Sequence, residues 1–295
     1  MEKTKIGLPR SLFFYDEGTF LKEFLEELNY EVITSPETNK EIYALGELVS
    51  NDEMCTSLKI FMGHIMWLQT KCDYIIVITN NNTGLNNQGC TNYLAIKELI
   101  KNKTNLNIIN INIDQINYKT IYKECLKIFK DKNIKDVKNA YLKARVKSSK
   151  EKKDNIIKNT NKLYDEKKKM LIAGHSYNIH DSYLTTEIVN YLKKENYQII
   201  YSDMFDTEKT ITASKKYTTN LYWKENKKYI GAIALSDQLV NGIITISTFP
   251  CNNDLLVNEF IKNKVKSPIL NIVVDDLNSI TGIITRLESF IDING

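Results

Sequence analysis

Cysteine is the residue type through which this sequence could do the most chemistry. Its five copies stand at positions 55, 72, 90, 125 and 251. As thiolates, cysteines serve as nucleophiles, redox partners or metal ligands. No two of these five form a C-x2-C pair, so a zinc finger or a ferredoxin-type site is not expected, and their odd number argues against a disulfide framework. Cys55, Cys90 and Cys251 each fall just before a segment with helical periodicity. There the unpaired backbone N–H groups and the helix dipole favour negative charge, and hence the thiolate. Such positions suit metal ligation, and they suit an anionic iron–sulfur cluster whose sulfurs accept amide hydrogen bonds. They also suit three structural thiols that begin helices by chance, since free cysteine is among the most buried residue types, so on the residues alone both readings stand. Cys72 begins a strand at the opposite sheet edge and Cys125 lies inside the helical run 122–129; both read as inert core thiols.

Other residues could join that chemistry. His175, in a Gly174-His175 turn after a strand, should share a strand end with Cys251, where it could donate to a cluster or a substrate or serve as an ordinary turn residue. Arg10 closes the first strand and could meet an anionic group or pair with a neighbouring carboxylate. Asp52 and Glu53 precede Cys55 and could bond local backbone or water, or move protons. His180-Asp181 reads as a helix cap and His64 as a packing residue in mid-helix. Gly84 and Gly89 permit the loop leading to Cys90. The sequence contains no G-x-G-x-x-G and no Walker A motif, so ATP binding of the P-loop kind is not expected.

The elements that must carry these residues alternate between strand and helix. Residues 5–8 and 30–34 read as strands around a helix marked by Phe20, Leu21, Phe24, Leu25 and Leu28. Thr38-Asn39 can cap the helix through Ile42, Leu45 and Leu48, and 56–70 is a further helix. The continuous apolar run 74–78 has the character of a buried parallel strand. A loop over 80–89, a helix over 93–100 and a strand over 106–111 follow. The second half repeats the grammar: strands at 170–173, 197–201, 242–246 and 270–274, with helices through 184–191, 222–239, 255–263 and 283–291. The pattern predicts an α/β protein with two Rossmann- or flavodoxin-like domains, parallel sheets and a cleft between them. The expected divisions are an N-terminal α/β domain (1–131), a lysine-rich helical connector (132–168) and a C-terminal α/β domain (169–295).

A length of 295 residues favours two cores over one. With no apolar run of about 18 residues, no membrane span is expected. The first residues lack the apolar centre of a signal peptide, so a cytoplasmic protein with reduced thiols is expected. The net charge of +4 is unevenly spread: residues 101–170 hold 20 Lys and Arg against 8 Asp and Glu. Few aromatics accompany the most basic part, so a solvated helical face is expected there rather than a nucleic-acid surface.

Several stretches resemble acyl-CoA dehydratase activase-related proteins, which belong with the 2-hydroxyacyl-CoA dehydratase subunits and double-cubane cluster proteins. They are Ile6-Gly7-Leu8-Pro9-Arg10, Ser35-Pro36-Glu37-Thr38-Asn39-Lys40, Asp52-Glu53-Met54-Cys55 and Lys59-Ile60-Phe61-Met62-Gly63-His64 in the first half. In the second they are Ala173-Gly174-His175-Ser176-Tyr177-Asn178-Ile179, Cys251-Asn252-Asn253-Asp254 and Thr285-Arg286-Leu287-Glu288-Ser289-Phe290. The resemblance spans both halves and leaves out the lysine-rich middle. It implies a cubane [4Fe-4S] cluster, or a related one, held by Cys55, Cys90 and Cys251, with an ATP-hydrolysing activase as the electron-delivering partner. The sequence departs from that family in Thr56 and Thr91, which stand where proline usually follows the first two cysteines. It departs again in Pro250 and Asn252-Asn253 around the third, and in the loop 275–282.

Three functions follow as expectations. The first is an iron–sulfur protein acting as a low-potential electron-transfer or reductase component in an anaerobic setting. The second is a metal-free binding or scaffold module derived from the same fold. The third is a 2-hydroxyacyl-CoA dehydratase subunit, taking a small-molecule substrate. A homodimer would bring two three-cysteine sets together.

Overall fold

The computed structural model describes residues 3–80, 82, 88–126, 128–275 and 280–294. Gly84 and residues 276–279 of the loop before the last helix lie outside them. The described chain is α/β and divides into two compact units, one formed by residues 1–83 and 89–151, the other by 84–88 and 152–295.

The first unit runs β1 (Lys5–Leu8), α1 (Phe14–Glu27), β2 (Glu31–Thr34), α2 (Lys40–Val49), α3 (Thr56–Leu68), β3 (Tyr74–Thr79), α4 (Thr91–Leu94), α5 (Ile96–Lys103), β4 (Asn107–Asn112) and α6 (Tyr118–Glu124). A long helix, α7 (Ile134–Leu163), follows. The second unit runs β5 (Lys169–Ala173), α8 (Ser176–Ile179), α9 (Ser182–Lys194), β6 (Gln198–Tyr201), α10 (Thr207–Ser214), α11 (Lys224–Ser236), β7 (Gly242–Thr248), α12 (Asn252–Lys262), β8 (Ile269–Val274) and α13 (Ile280–Asn294).

Each unit builds one four-stranded parallel sheet, in the order β2-β1-β3-β4 and β6-β5-β7-β8. The central strands β3 and β7 are isoleucine-rich and buried along nearly their whole length, as strands covered by helices on both faces must be. The two units repeat one another down to single bonds. The Asp73 amide donates to the Lys5 carbonyl, and the Asn241 amide to that of Lys169, both at 2.9 Å. In return Lys5 N donates to Asp73 Oδ2 and Lys169 N to Asn241 Oδ1, each at 2.8 Å. Asn29 and Asn196 both end a helix with positive φ (67° and 60°), and a tyrosine follows each. Asparagine tolerates that left-handed conformation better than most side chains.

Helix starts follow their side chains. Asn39 and Asp181 cap α2 and α9 as the sequence predicts. Asp206 caps α10, which the apolar pattern did not mark. The expected helix over 93–100 is two pieces, α4 and α5, broken at Ala95. The basic segment is largely α7, whose first half packs on α1: Arg145 lies 3.7 Å over the Phe20 ring and pairs with Glu17. Lys143 and Lys147 pair with Glu27 and Glu23 at 2.9 and 2.6 Å. Part of the lysine excess is thus matched by the acidic face of α1. No helix among the described residues is long and apolar enough to cross a membrane.

Candidate functional site

In open parallel sheets, ligands gather beyond the carboxyl ends of the strands at the switch point, where the windings to either side diverge. In the first unit that point lies between β1 and β3, in the second between β5 and β7. The candidate residues sort onto those edges. Arg10 follows β1 and Cys90 follows β3; His175 follows β5 and Cys251 follows β7. Cys55 begins α3, the helix that leads back to the start of β3, so it too belongs to the carboxyl edge of its sheet.

The second unit carries the more developed chemistry. Gly174 leaves β5 with φ of 157°, and a Cβ there would stand 2.5 Å from the Ile246 carbonyl oxygen, so glycine is needed. Its amide donates to Ser202 Oγ at 3.2 Å, as the Arg10 amide donates to Ser35 Oγ at 2.8 Å in the first unit. This turn delivers His175, stacked on Tyr177 with ring centroids 5.0 Å apart. His175 Nε2 lies 2.9 Å from Asp254 Oδ1. Asp254 sits in the first turn of α12, 2% exposed. It also accepts from Asn226 Nδ2 at 2.8 Å and from the Cys251 thiol. Asn226 donates further to the Tyr229 hydroxyl at 3.0 Å, which donates to Asn258 Oδ1 at 3.1 Å. Burial pushes the Asp254 carboxyl up, but the nearby His175 and the three hydrogen bonds outweigh it and hold the group below its usual value. The buried Tyr229 hydroxyl is raised well above its ordinary range, by burial first and then by Asp254.

The order of this chain matters chemically. A cysteine nucleophile of the triad kind needs the imidazole between thiol and carboxylate. Here the Asp254 carboxylate accepts from both the Cys251 thiol and the His175 imidazole, which orients the Cys251 side chain in its protonated form. Asp254 was visible in sequence only as part of the Cys251-Asn252-Asn253-Asp254 stretch. Its i+3 spacing from Cys251 was the available signal, whereas Asn226, Tyr229 and Asn258 gave none.

In the first unit Arg10 sits against Glu37 at 3.4 Å and lies 5.8 Å from the centre of the Phe14 ring. That pairing is the structural alternative foreseen for it. Glu53 lies in the exposed turn before Cys55. His64 is fully buried, with Nε2 3.0 Å from Thr38 Oγ1; burial and then the nearby Arg10 lower its pKa to about 3, so it stays neutral. Cys72 is pushed up to about 11, mainly by burial, and donates to the Leu68 carbonyl at 3.4 Å. Cys125, fully buried, is pushed up to about 12 by burial and then by Glu124. His180 binds Asp203 at 2.8 Å, and Asp181, not His180, supplies the cap of α9.

For an iron–sulfur cluster the donor chemistry fits: three half-buried cysteines at carboxyl edges, two of them heading helices of 13 and 11 residues. Among the described residues, the buried Asn80 Nδ2 has no hydrogen-bond partner. Cys55 and Cys90 belong to one unit and Cys251 to the other. Among the described residues no group of three or more His, Cys, Asp or Glu side chains is gathered as a metal site.

Fold and edge chemistry thus define a class: two doubly wound parallel α/β units with cysteines at their strand ends. Within that class the chain belongs to the CoA enzyme activase-related family. A family model described as "CoA enzyme activase uncharacterised domain" matches residues 5–205, in keeping with the resemblance to activase-related proteins of the acyl-CoA dehydratase type. None of the curated proteins matches. Solved structures similar to the chain include the SBP FpvC from Pseudomonas aeruginosa in complex with Mn2+, at 10% identity and a TM-score of 0.32, covering 100% of both chains. Its complex with Ni2+ is similar at 10% identity and a TM-score of 0.31, covering 100% of this chain and 98% of that one.

Proposed function

We propose that the chain is an iron–sulfur protein in which Cys55, Cys90 and Cys251 ligate a [4Fe-4S] or related cubane cluster. It would act as a low-potential electron-transfer or reductase component supplied by an ATP-dependent activase. The observation that carries the reading is the shared placement of the three cysteines: each stands at the carboxyl edge of a parallel sheet, and Cys90 and Cys251 flank the switch points. The bound cluster supplies one-electron chemistry, and with three protein ligands it leaves one iron position open to a substrate.

The residues of the chain have distinct tasks in this reading. The amino ends of α3 and α12 stabilise the negative charge of the Cys55 and Cys251 sulfurs. Asp254 accepts from Cys251 only while that sulfur keeps its proton, a bond given up when the sulfur becomes a ligand, and His175 and Asn226 hold Asp254. Arg10, at the equivalent edge of the first sheet, is paired with Glu37 and would have to leave that partner to meet an anionic group. Anaerobic purification followed by iron and acid-labile sulfide analysis, with EPR of the reduced protein, tests the reading. Protein free of iron and sulfide after anaerobic reconstitution would overturn it.

A second reading is a metal-free module that binds through the same strand ends. It predicts that replacing the three cysteines with serine leaves folding and partner binding intact.

A further inference from the structure

The repetition between the two units extends to the cysteines. One offset in residue number carries Ile42 onto Thr210, Gly63 onto Gly231 and Tyr74 onto Gly242. These are matched places in the fold. A Cβ on Gly63 would stand 1.9 Å from the Ile42 carbonyl oxygen, and one on Gly231 would stand 1.8 Å from that of Thr210. Each glycine thus lets a helix pair close, α3 on α2 and α11 on α10. Tyr74 and Gly242 open the central strands, in register with Ile6 and Met170. The same offset carries Cys55 onto Trp223, and each stands with extended backbone just before a helix of 13 residues.

A second offset carries Ile108 onto Ile269, Asn110 onto Asn271 and Cys90 onto Cys251. The strand registers agree, Ile75 with Ile108 and Ile243 with Ile269. Four matched positions ahead of helices therefore hold three cysteines and one tryptophan. Trp223 is half-buried and packs against the core of the second unit. Gln88 is bridged to it in parallel, and the Gln88 amide donates to the Tyr222 carbonyl at 3.0 Å. Cys90 follows Gln88 by two residues, a reach of at most about 7 Å.

A cubane has four irons, and three cysteines serve three of them. An indole N–H is a donor with no lone pair to give a metal. We propose that Trp223 stands at the fourth corner of the cluster. It fills the place of a fourth ligand without ligating, which keeps one iron open, and it gives whatever binds there an aromatic wall. This rests on the cluster reading above and assigns a residue to the open position.

The test reconstitutes wild type, Trp223→Cys and Trp223→Ala with iron and sulfide without oxygen, then treats each with ferricyanide and counts iron per chain. An iron that no side chain holds leaves first. Wild type and the alanine variant should fall from about four irons to about three, with the EPR signal of a three-iron cluster, whereas the cysteine variant should keep about four. A loaded cysteine variant that sheds the same iron as wild type overturns the placement alone. Retention of all four by the alanine variant traces the effect to packing and overturns it as well. Absence of iron and sulfide from wild type sinks the cluster reading and this placement with it. Trp223→His, bulkier and also able to ligate iron, should match the cysteine result and replaces that variant if it does not fold.

Discussion

His175 Nε2 and Asp254 Oδ1 lie 2.9 Å apart, joining the loop after β5 to the first turn of α12 across the switch point of the second sheet. Both groups are nearly sealed from water, with side-chain exposures of 10% and 3%. Removing one partner leaves the other buried without compensation, which costs about 3–5 kcal/mol. Asp254→Leu should therefore lower the unfolding free energy by roughly 3 kcal/mol in urea titrations. His175→Gln, which can still donate, should cost about 1 kcal/mol. Because the Asp254 pKa is depressed in the folded state, its contribution is present above the ordinary carboxylate range and is lost as pH falls through the folded value.

His64 gives a pH dependence of opposite origin. Its pKa in the folded chain is about 3, while in the unfolded chain it returns to about 6.5. Between those values the unfolded state binds the extra proton, so stability falls as pH falls, by about 1.4 kcal/mol per pH unit. His64→Gln, measured by urea unfolding at several pH values, should be less stable than wild type near pH 7 and should lack this slope. A parallel dependence in both proteins would contradict the account.

Gly89→Ala tests the close approach that fixes the loop before Cys90. Its Cβ would meet the Asn80 backbone oxygen at 2.0 Å, and backbone on both sides leaves little room to yield. Thermal unfolding should show a loss of about 1–3 kcal/mol.

The two remaining thiols should be silent. Burial raises Cys72 to about 11 and Cys125 to about 12, so at pH 8 both stay protonated in the native chain. Mass spectrometry after brief iodoacetamide treatment should find them unmodified under native conditions and labelled in urea.

What could be read from the sequence follows how local each signal is. The strand Tyr74–Thr79 announces itself because a parallel strand buried on both faces must be apolar throughout. Asn39 and Asp181 declare helix starts because a cap is a contact between near neighbours. The placement of Cys55, Cys90 and Cys251 directly ahead of helices was equally local. The Asp254 network did not, since Asn226 and Tyr229 come from α11, a helix that only the fold brings against α12. The pairing of Thr38 with His64 was hidden for the same reason. The break at Ala95 was missed because the flanking apolar residues keep a helical rhythm across it.

The central claim concerns iron. Wild type and the triple variant Cys55→Ser, Cys90→Ser, Cys251→Ser should be reconstituted side by side without oxygen, and iron and sulfide counted per chain. The account predicts about four of each in the wild type and almost none in a triple variant that remains folded. Equal uptake by both proteins, or none by either, would contradict it.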